Sequence, residues 1–171
     1  KDSMKDSPYR VRASEEEQQH YRDVQQIQNM RSIYYGMVKQ VDDKIGEILK
    51  KLDDLGLTEN TMVVFVSDHG EMLGDHGMHS KMIFYDGSVR VPLLIRFPGR
   101  IKAGTVVDAP VSSMDIFPTI LDYLKMPAVK KNGVSLRPLI EGKKLEHDVV
   151  SYSLGRGRPN YMIRSGNLKL M

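Results

Sequence analysis

From Ile27 onward the apolar positions fall three and four residues apart: Ile27, Met30, Ile33, Tyr34, Met37, Val38, Val41, Ile45, Ile48, Leu49 and Leu52. That spacing lays one apolar stripe along an α-helix. Gly56 marks its expected end, while Gly36 and Gly46 weaken the helix slightly and allow close packing. After the turn segment "TENT" the pattern changes. "MVVFVS" is β-branched and aromatic without alternation, which predicts a short strand buried on both faces. "VPLLIRFPG" predicts a second buried strand closed by a Pro-Gly turn. "IKAGTVVDAPVS" predicts a short excursion with a strand. "SMDIFPTILDYLKM" predicts a helix with Ser113 or Asp115 as N-cap and Pro118 in the first turn. The rest is loop-rich until "YMIRSGNLKLM", which predicts a hairpin around Ser165 and Gly166.

Helix, buried strand, loop, buried strand, helix is an α/β order. The 171 residues fit one domain or part of a larger one. Residues 1–26 read as a loop or linker, with Pro8 and the run Glu15-Glu16-Glu17; 27–145 read as the core, and 146–171 as loop and terminal hairpin. No internal repeat or low-complexity segment interrupts this order. A 40% apolar fraction suffices for a core, and 27% charged residues is the usual share for a globular domain. The net charge of +3 is too weak, and too mixed in sign, to mark a nucleic-acid surface. Without cysteine the chain has no disulfide, no thiolate metal site and no cysteine nucleophile. No apolar run approaches the roughly 20 residues of a membrane span. The opening "KDSMKDSPYR" is polar and lacks an initial Met, which suggests a cut or processed chain. A periplasmic or secreted destination is compatible with that start; compartment and oligomeric state stay open.

The densest chemistry lies in "FVSDHGEMLGDHGMHSK", residues 65–81. In α/β sheets ligands bind beyond the carboxyl ends of strands, where Asp68, His69 and Gly70 are expected. An adjacent carboxylate and imidazole can share one cation. Oxygen ligands suit Ca²⁺, Mg²⁺ or Mn²⁺, and imidazole suits Zn²⁺ or Mn²⁺. Gly70 would let the backbone turn and leave room for a ligand. The plainer alternative is an Asp that bonds its own loop backbone and a half-buried His. An all-histidine zinc site is disfavoured: His69, His76 and His79 lack the His-Glu-x-x-His spacing, and Gly70, Gly74 and Gly77 oppose a helix. Lys81 is an ordinary solvated lysine unless the loop folds back, when its ammonium could neutralise an anionic substrate. Glu71 and Asp75 could orient His69 or Lys81, although solvated positions are the simpler reading.

Three longer stretches carry more than spacing: "YYGMVKQVDDKIGEILKKLDDLGLTENTMVVFVSDHGEMLGDHG", "KMIFYDGSVRVPLLIRFPGRIKAGTVVDAPVSSMDIFPTILDYL" and "NGVSLRPLIEGK". In this order, nearly without gaps from Tyr34 to Lys143, the chain resembles the sulfatase family of the alkaline-phosphatase-like superfamily. It is similar to the later part of the catalytic domain. The resemblance implies a partial sulfatase sandwich, with helices packed on a mixed, largely parallel sheet. It places Asp68 and His69 at the family's metal-ligand pair, with Ca²⁺ the usual ion and Mn²⁺, Mg²⁺ or Zn²⁺ as alternatives. Lys81 falls on the lysine that contacts a sulfate oxygen, and His79, two residues before it, could line the substrate pocket.

The family's nucleophile is a formylglycine made from Cys or Ser in a C/S-x-P-x-R motif, and none of the 171 residues belongs to one. "DSPYR" has Pro8 and Arg10 at the right spacing but Asp6 at the nucleophile position, and lies too close to Asp68. The expected partner is therefore the missing N-terminal part of the same domain. Alone, the chain should hold half a metal site and catalyse nothing. Three functions follow. The first is hydrolysis of a sulfate ester, carbohydrate or small; "KMIFYDGSVRVPL" is also similar to choline-sulfatase-like members. The second is hydrolysis of a phosphonate monoester or phosphodiester within the same superfamily. The third is a non-catalytic scaffold that keeps the fold.

Overall fold

The structure is a computed structural model, and it describes residues 23–81, 83–127, 132–154 and 159–171. The polar leader expected over residues 1–22, including "DSPYR", lies outside them. The chain forms two compact units. One runs through Gly56 and resumes over His69–Val91; the other comprises Leu57–Asp68 and Pro92–Met171.

The first unit begins with helix α1, Val24–Asp54. Asp23 caps it, its carboxylate accepting from the Gln25 and Gln26 amides at 2.8 and 3.3 Å. The helix thus starts inside the stretch read as linker, because a side chain able to satisfy two orphan amides stands at residue 23. It stops where Gly56 takes a left-handed φ of 66°, as the sequence predicts. The apolar stripe is present, yet none of the helix's residues is buried, and Ile33, Met37, Val41 and Ile48 are exposed. The same unit holds the loop 69–81 and a one-turn helix α2, Asp86–Val89. Met72, Ile83, Phe84 and Ser88 are its buried residues.

In the second unit β1, Val63–Val66, pairs antiparallel with β2, Leu93–Arg96, with Val63 opposite Arg96 and Val66 opposite Leu93. Phe65, Val66 and Leu94 are exposed, Leu94 by 59%. The two strands are therefore not buried on both faces among the described residues, as their unbroken apolar runs predict. Residues 101–112 contain turns and no strand, so the excursion lacks the expected one. Asp115 holds the N-cap position of the next α-helix, as expected, but makes no side-chain capping bond to it; the side-chain cap is Ser112, at the start of the 3-10 turn before the helix. Its hydroxyl accepts from the Met114 amide while its own amide donates to Asp115 at 2.7 Å. This reciprocal capping box leads through a short 3-10 turn into α3, Ile116–Tyr123, with Pro118 in its first turn.

α4, Arg137–Ile140, follows, and then an antiparallel sheet of β3 (Val149–Ser153), β4 (Asn160–Ser165) and β5 (Leu168–Leu170) in that order. The hairpin falls where expected, with Ser165 opposite Leu168, but β3 adds a third strand in the region read as loop. Phe97, Leu121, Tyr123, Leu136, Val149 and Met162 are buried. Phe97 meets Tyr123 edge-on at 6.1 Å, and the Arg137 guanidinium lies 5.4 Å over the Tyr123 ring. Burial also raises the Tyr123 phenol above its ordinary pKa. All three strand pairings among the described residues are antiparallel, so the parallel portion of the expected mixed sheet is not represented in them.

Candidate functional site

The division between the units falls at the Asp68–His69 peptide bond. Asp68 ends its unit two residues beyond β1 and is exposed. His69 opens the other unit's loop and is half-buried. Its Nδ1 lies 2.8 Å from the Gly70 carbonyl oxygen. A carbonyl can only accept, so Nδ1 carries the proton and the neutral ring has its lone pair on Nε2. A protein carbonyl that fixes the tautomer through the second ring nitrogen is the usual support of a metal-binding histidine.

Gly70 serves close packing rather than room for a ligand. Its amide donates to the Ser88 carbonyl at 2.8 Å, and a Cβ here would stand 2.0 Å from the Gly87 carbonyl oxygen. The start of the loop is thereby locked to α2. Met72, 1% exposed, plugs the loop into the unit's interior. Its amide donates to the Ser80 carbonyl at 3.1 Å, and Gly74 donates to Met78 at 2.8 Å. The loop thus folds back on its own start, which returns His79, Ser80 and Lys81 to the beginning of the segment. Lys81 is exposed and His79 half-buried.

Sequence reasoning missed two supports of this loop. Arg31 of α1 donates from Nε to the Leu73 carbonyl at 2.8 Å and from Nη2 to Asp75 at 2.7 Å. The helical period marks Arg31 only as a polar position, and nothing local announces a partner 42 residues on. Glu71, read as solvated, instead accepts from the Met72 amide at 3.2 Å and from the Ser80 amide. His76 stacks on Tyr85, centroids 4.3 Å apart and planes 19° from parallel. No group of three or more His, Asp or Glu side chains is gathered for a metal among the described residues. Asp68 and His69 are two residues of ligating type and do not by themselves make a complete ligand set.

The Asp-His pair thus follows a short strand, and the loop after it is closed by its own hydrogen bonds. The family model described as Sulfatase matches residues 4–126, and the chain belongs to the sulfatase family. Among curated proteins it is 44% identical over 126 residues to human arylsulfatase K, covering 72% of this chain and 23% of that protein. It is 40% identical over 119 residues to an arylsulfatase of Clostridium perfringens, covering 67% and 25%. Among solved structures, the phosphonate monoester hydrolase of Silicibacter pomeroyi matches with TM-score 0.75 and 34% identity over 82% of this chain and 32% of that one. An enzyme solved with its substrate D-glucosamine-2-N,6-O-disulfate matches with TM-score 0.69 and 32% identity over 77% and 29%. The fold is thus the alkaline-phosphatase-like one of sulfatases and phosphonate hydrolases. The chain spans about a quarter of the length of the curated relatives it matches.

Proposed function

We propose that the chain is the metal-and-anion half of a sulfuric ester hydrolase, completed by an N-terminal part of the same domain. Asp68 and His69 would be two ligands of a divalent cation, Ca²⁺ by family preference. The nucleophile would come from a formylglycine motif in the preceding part. The carrying observation is the His69 Nδ1 proton donated to Gly70, which puts the lone pair on the nitrogen a cation takes. When bound, the ion supplies Lewis-acid polarisation of the ester oxygens. Lys81 sets its ammonium against an oxygen of the ester and offsets charge that grows on the leaving group. Half-buried His79 lines the pocket beside it.

The test is turnover of an aryl sulfate with Ca²⁺ or Mn²⁺ by the protein containing this chain and its N-terminal partner segment. Asp68→Ala is expected to abolish turnover and cation binding, read separately by calorimetry. Lys81→Ala is expected to lower kcat by about tenfold or more while cation binding stays. Wild-type turnover in either variant overturns that residue's role. A second reading, hydrolysis of a phosphonate monoester, is favoured by the likeness to the phosphonate monoester hydrolase. Faster turnover of a phosphonate monoester than of the aryl sulfate decides for it, and the residue roles carry over unchanged.

A further inference from the structure

We infer that Glu71 is a positioning residue that sets the place of Lys81; the inference rests on the role proposed for that lysine. One carboxylate oxygen of Glu71 accepts from two amides nine and one residues ahead of it, those of Ser80 and Met72. Together with the Met72–Ser80 backbone bond, it closes the base of the loop. The residue it grips is unusual. Ser80 has a φ of 69°, in the left-handed region that side chains other than glycine seldom adopt. Leu73 and His76 share it, at 48° and 56°. Three non-glycine residues are therefore held in a disfavoured conformation within eight positions, and such strain persists only where surrounding contacts over-determine it.

The direction in which the chain leaves Ser80 fixes where Lys81 begins. Relaxation of Ser80 to negative φ would swing the Lys81 Cα–Cβ bond away from its present direction. The Glu71 oxygen on the Ser80 amide opposes that relaxation. The outer loop has its own anchors in Arg31 and the His76–Tyr85 stack, whereas at the base Glu71 supplies a side-chain tie between the two ends. Glu71 touches neither the ester nor the ion in this account. It acts through Lys81, and what it supplies is an acceptor at a given reach, not a charge.

The experiment uses the complete enzyme and follows kcat and KM for an aryl sulfate in a double-mutant cycle with Lys81→Ala. Glu71→Gln keeps the acceptor and is expected to stay within about threefold of wild type. Glu71→Asp keeps the charge but withdraws the oxygen by one methylene, and Glu71→Ala removes it. Both are expected to lose about 10- to 100-fold, with the same division between kcat and KM as Lys81→Ala. In the Lys81→Ala background neither should add a loss beyond about twofold. Losses that multiply in the double variant overturn the inference, as does an active Asp variant beside a slow Gln variant. If Glu71→Ala fails to fold, the Gln and Asp pair still decides. Wild-type turnover in Lys81→Ala removes the parent reading as well, whereas a slow Lys81→Ala beside a fast Glu71→Asp overturns this inference alone.

Discussion

Glu71 and Asp115 each gather backbone amides from distant points of a loop, but in opposite surroundings. Asp115 is 0% exposed and accepts from the amides of Ser112 and Val134 at 2.7 and 2.9 Å and from Nε2 of His147 at 2.9 Å. Beside it the Thr119 hydroxyl donates to the Asp115 carbonyl at 2.6 Å and accepts from Leu136 at 2.8 Å. Both carboxylate oxygens of Asp115 and the Thr119 hydroxyl are thus engaged in holding the fold. Glu71 is half-buried and serves a loop holding three of the four non-glycine residues with positive φ among those described. The contrast separates two uses of one device. A fully buried carboxylate fastens residues 132–147 to α3, and a half-buried one closes the base of a loop whose backbone is held in a disfavoured conformation.

The largest effect belongs to the buried member. Asp115→Ala leaves the Ser112 and Val134 amides and the His147 ring without their acceptor. The expected cost is about 3 kcal/mol or more, because each buried donor left without its acceptor costs on the order of 1–3 kcal/mol. Urea unfolding of the protein checks it. A cost below about 1 kcal/mol would mean that the three donors find water, and the two carboxylates would no longer differ in kind.

Gly70→Ala probes the loop. The new Cβ would meet a backbone oxygen, which cannot turn aside as a side-chain end can, so the start of the loop or α2 must shift. The expected cost is about 1–3 kcal/mol, smaller than for Asp115. Turnover should nevertheless fall further than the loss of folded protein accounts for, because the shift falls on the residue after His69. Melting temperature and kcat measured on the same preparation separate the two. Loss of both in proportion would make the loop merely another structural element.

How far the sequence reveals these regions follows from which forces act locally. The periodicity from Ile27 to Leu52 finds α1, and the apolar runs find β1 and β2, because burial patterns are written residue by residue. It misses β3, whose "VVSYS" is short and lies in loop-rich sequence. It finds Asp115 at the helix N-cap but not Ser112 as the side-chain cap of the turn before it, since Ser112 and Ser113 are equivalent as letters and only the reciprocal bond with Asp115 selects the first. Asp68, His69 and Lys81 stand out as chemistry-bearing types in a glycine-rich loop. Glu71, Arg31 and His147 do not, because their meaning lies in partners 9, 42 and 32 residues away. Gly70 was legible as a necessary glycine, but its reason is a neighbouring backbone rather than a turn or a ligand.

The smallest effect concerns a third carboxylate, nearer the surface than Asp115. The Ser135 hydroxyl donates to Asp122 at 2.6 Å and Arg137 donates at 3.0 Å, and these, the hydroxyl first, hold the Asp122 carboxyl below its ordinary pKa. A carboxyl lower in the folded than in the unfolded chain favours folding when ionised. Its contribution is complete above the unfolded value of about 3.9 and is lost as the pH falls through the folded one. The Asp122 and Arg137 side chains are 36% and 40% exposed, so solvent screens the pair and the gain is about 0.5 kcal/mol or less. Ser135→Ala also removes the acceptor of the Arg137 amide, a bond of 3.2 Å that does not depend on the carboxyl's charge. The variant should therefore lose more stability near neutral pH than at about pH 2, where only the amide bond still distinguishes it. Equal losses at both pH values would assign the whole effect to that amide and leave Asp122 outside the series of carboxylates that fasten loops.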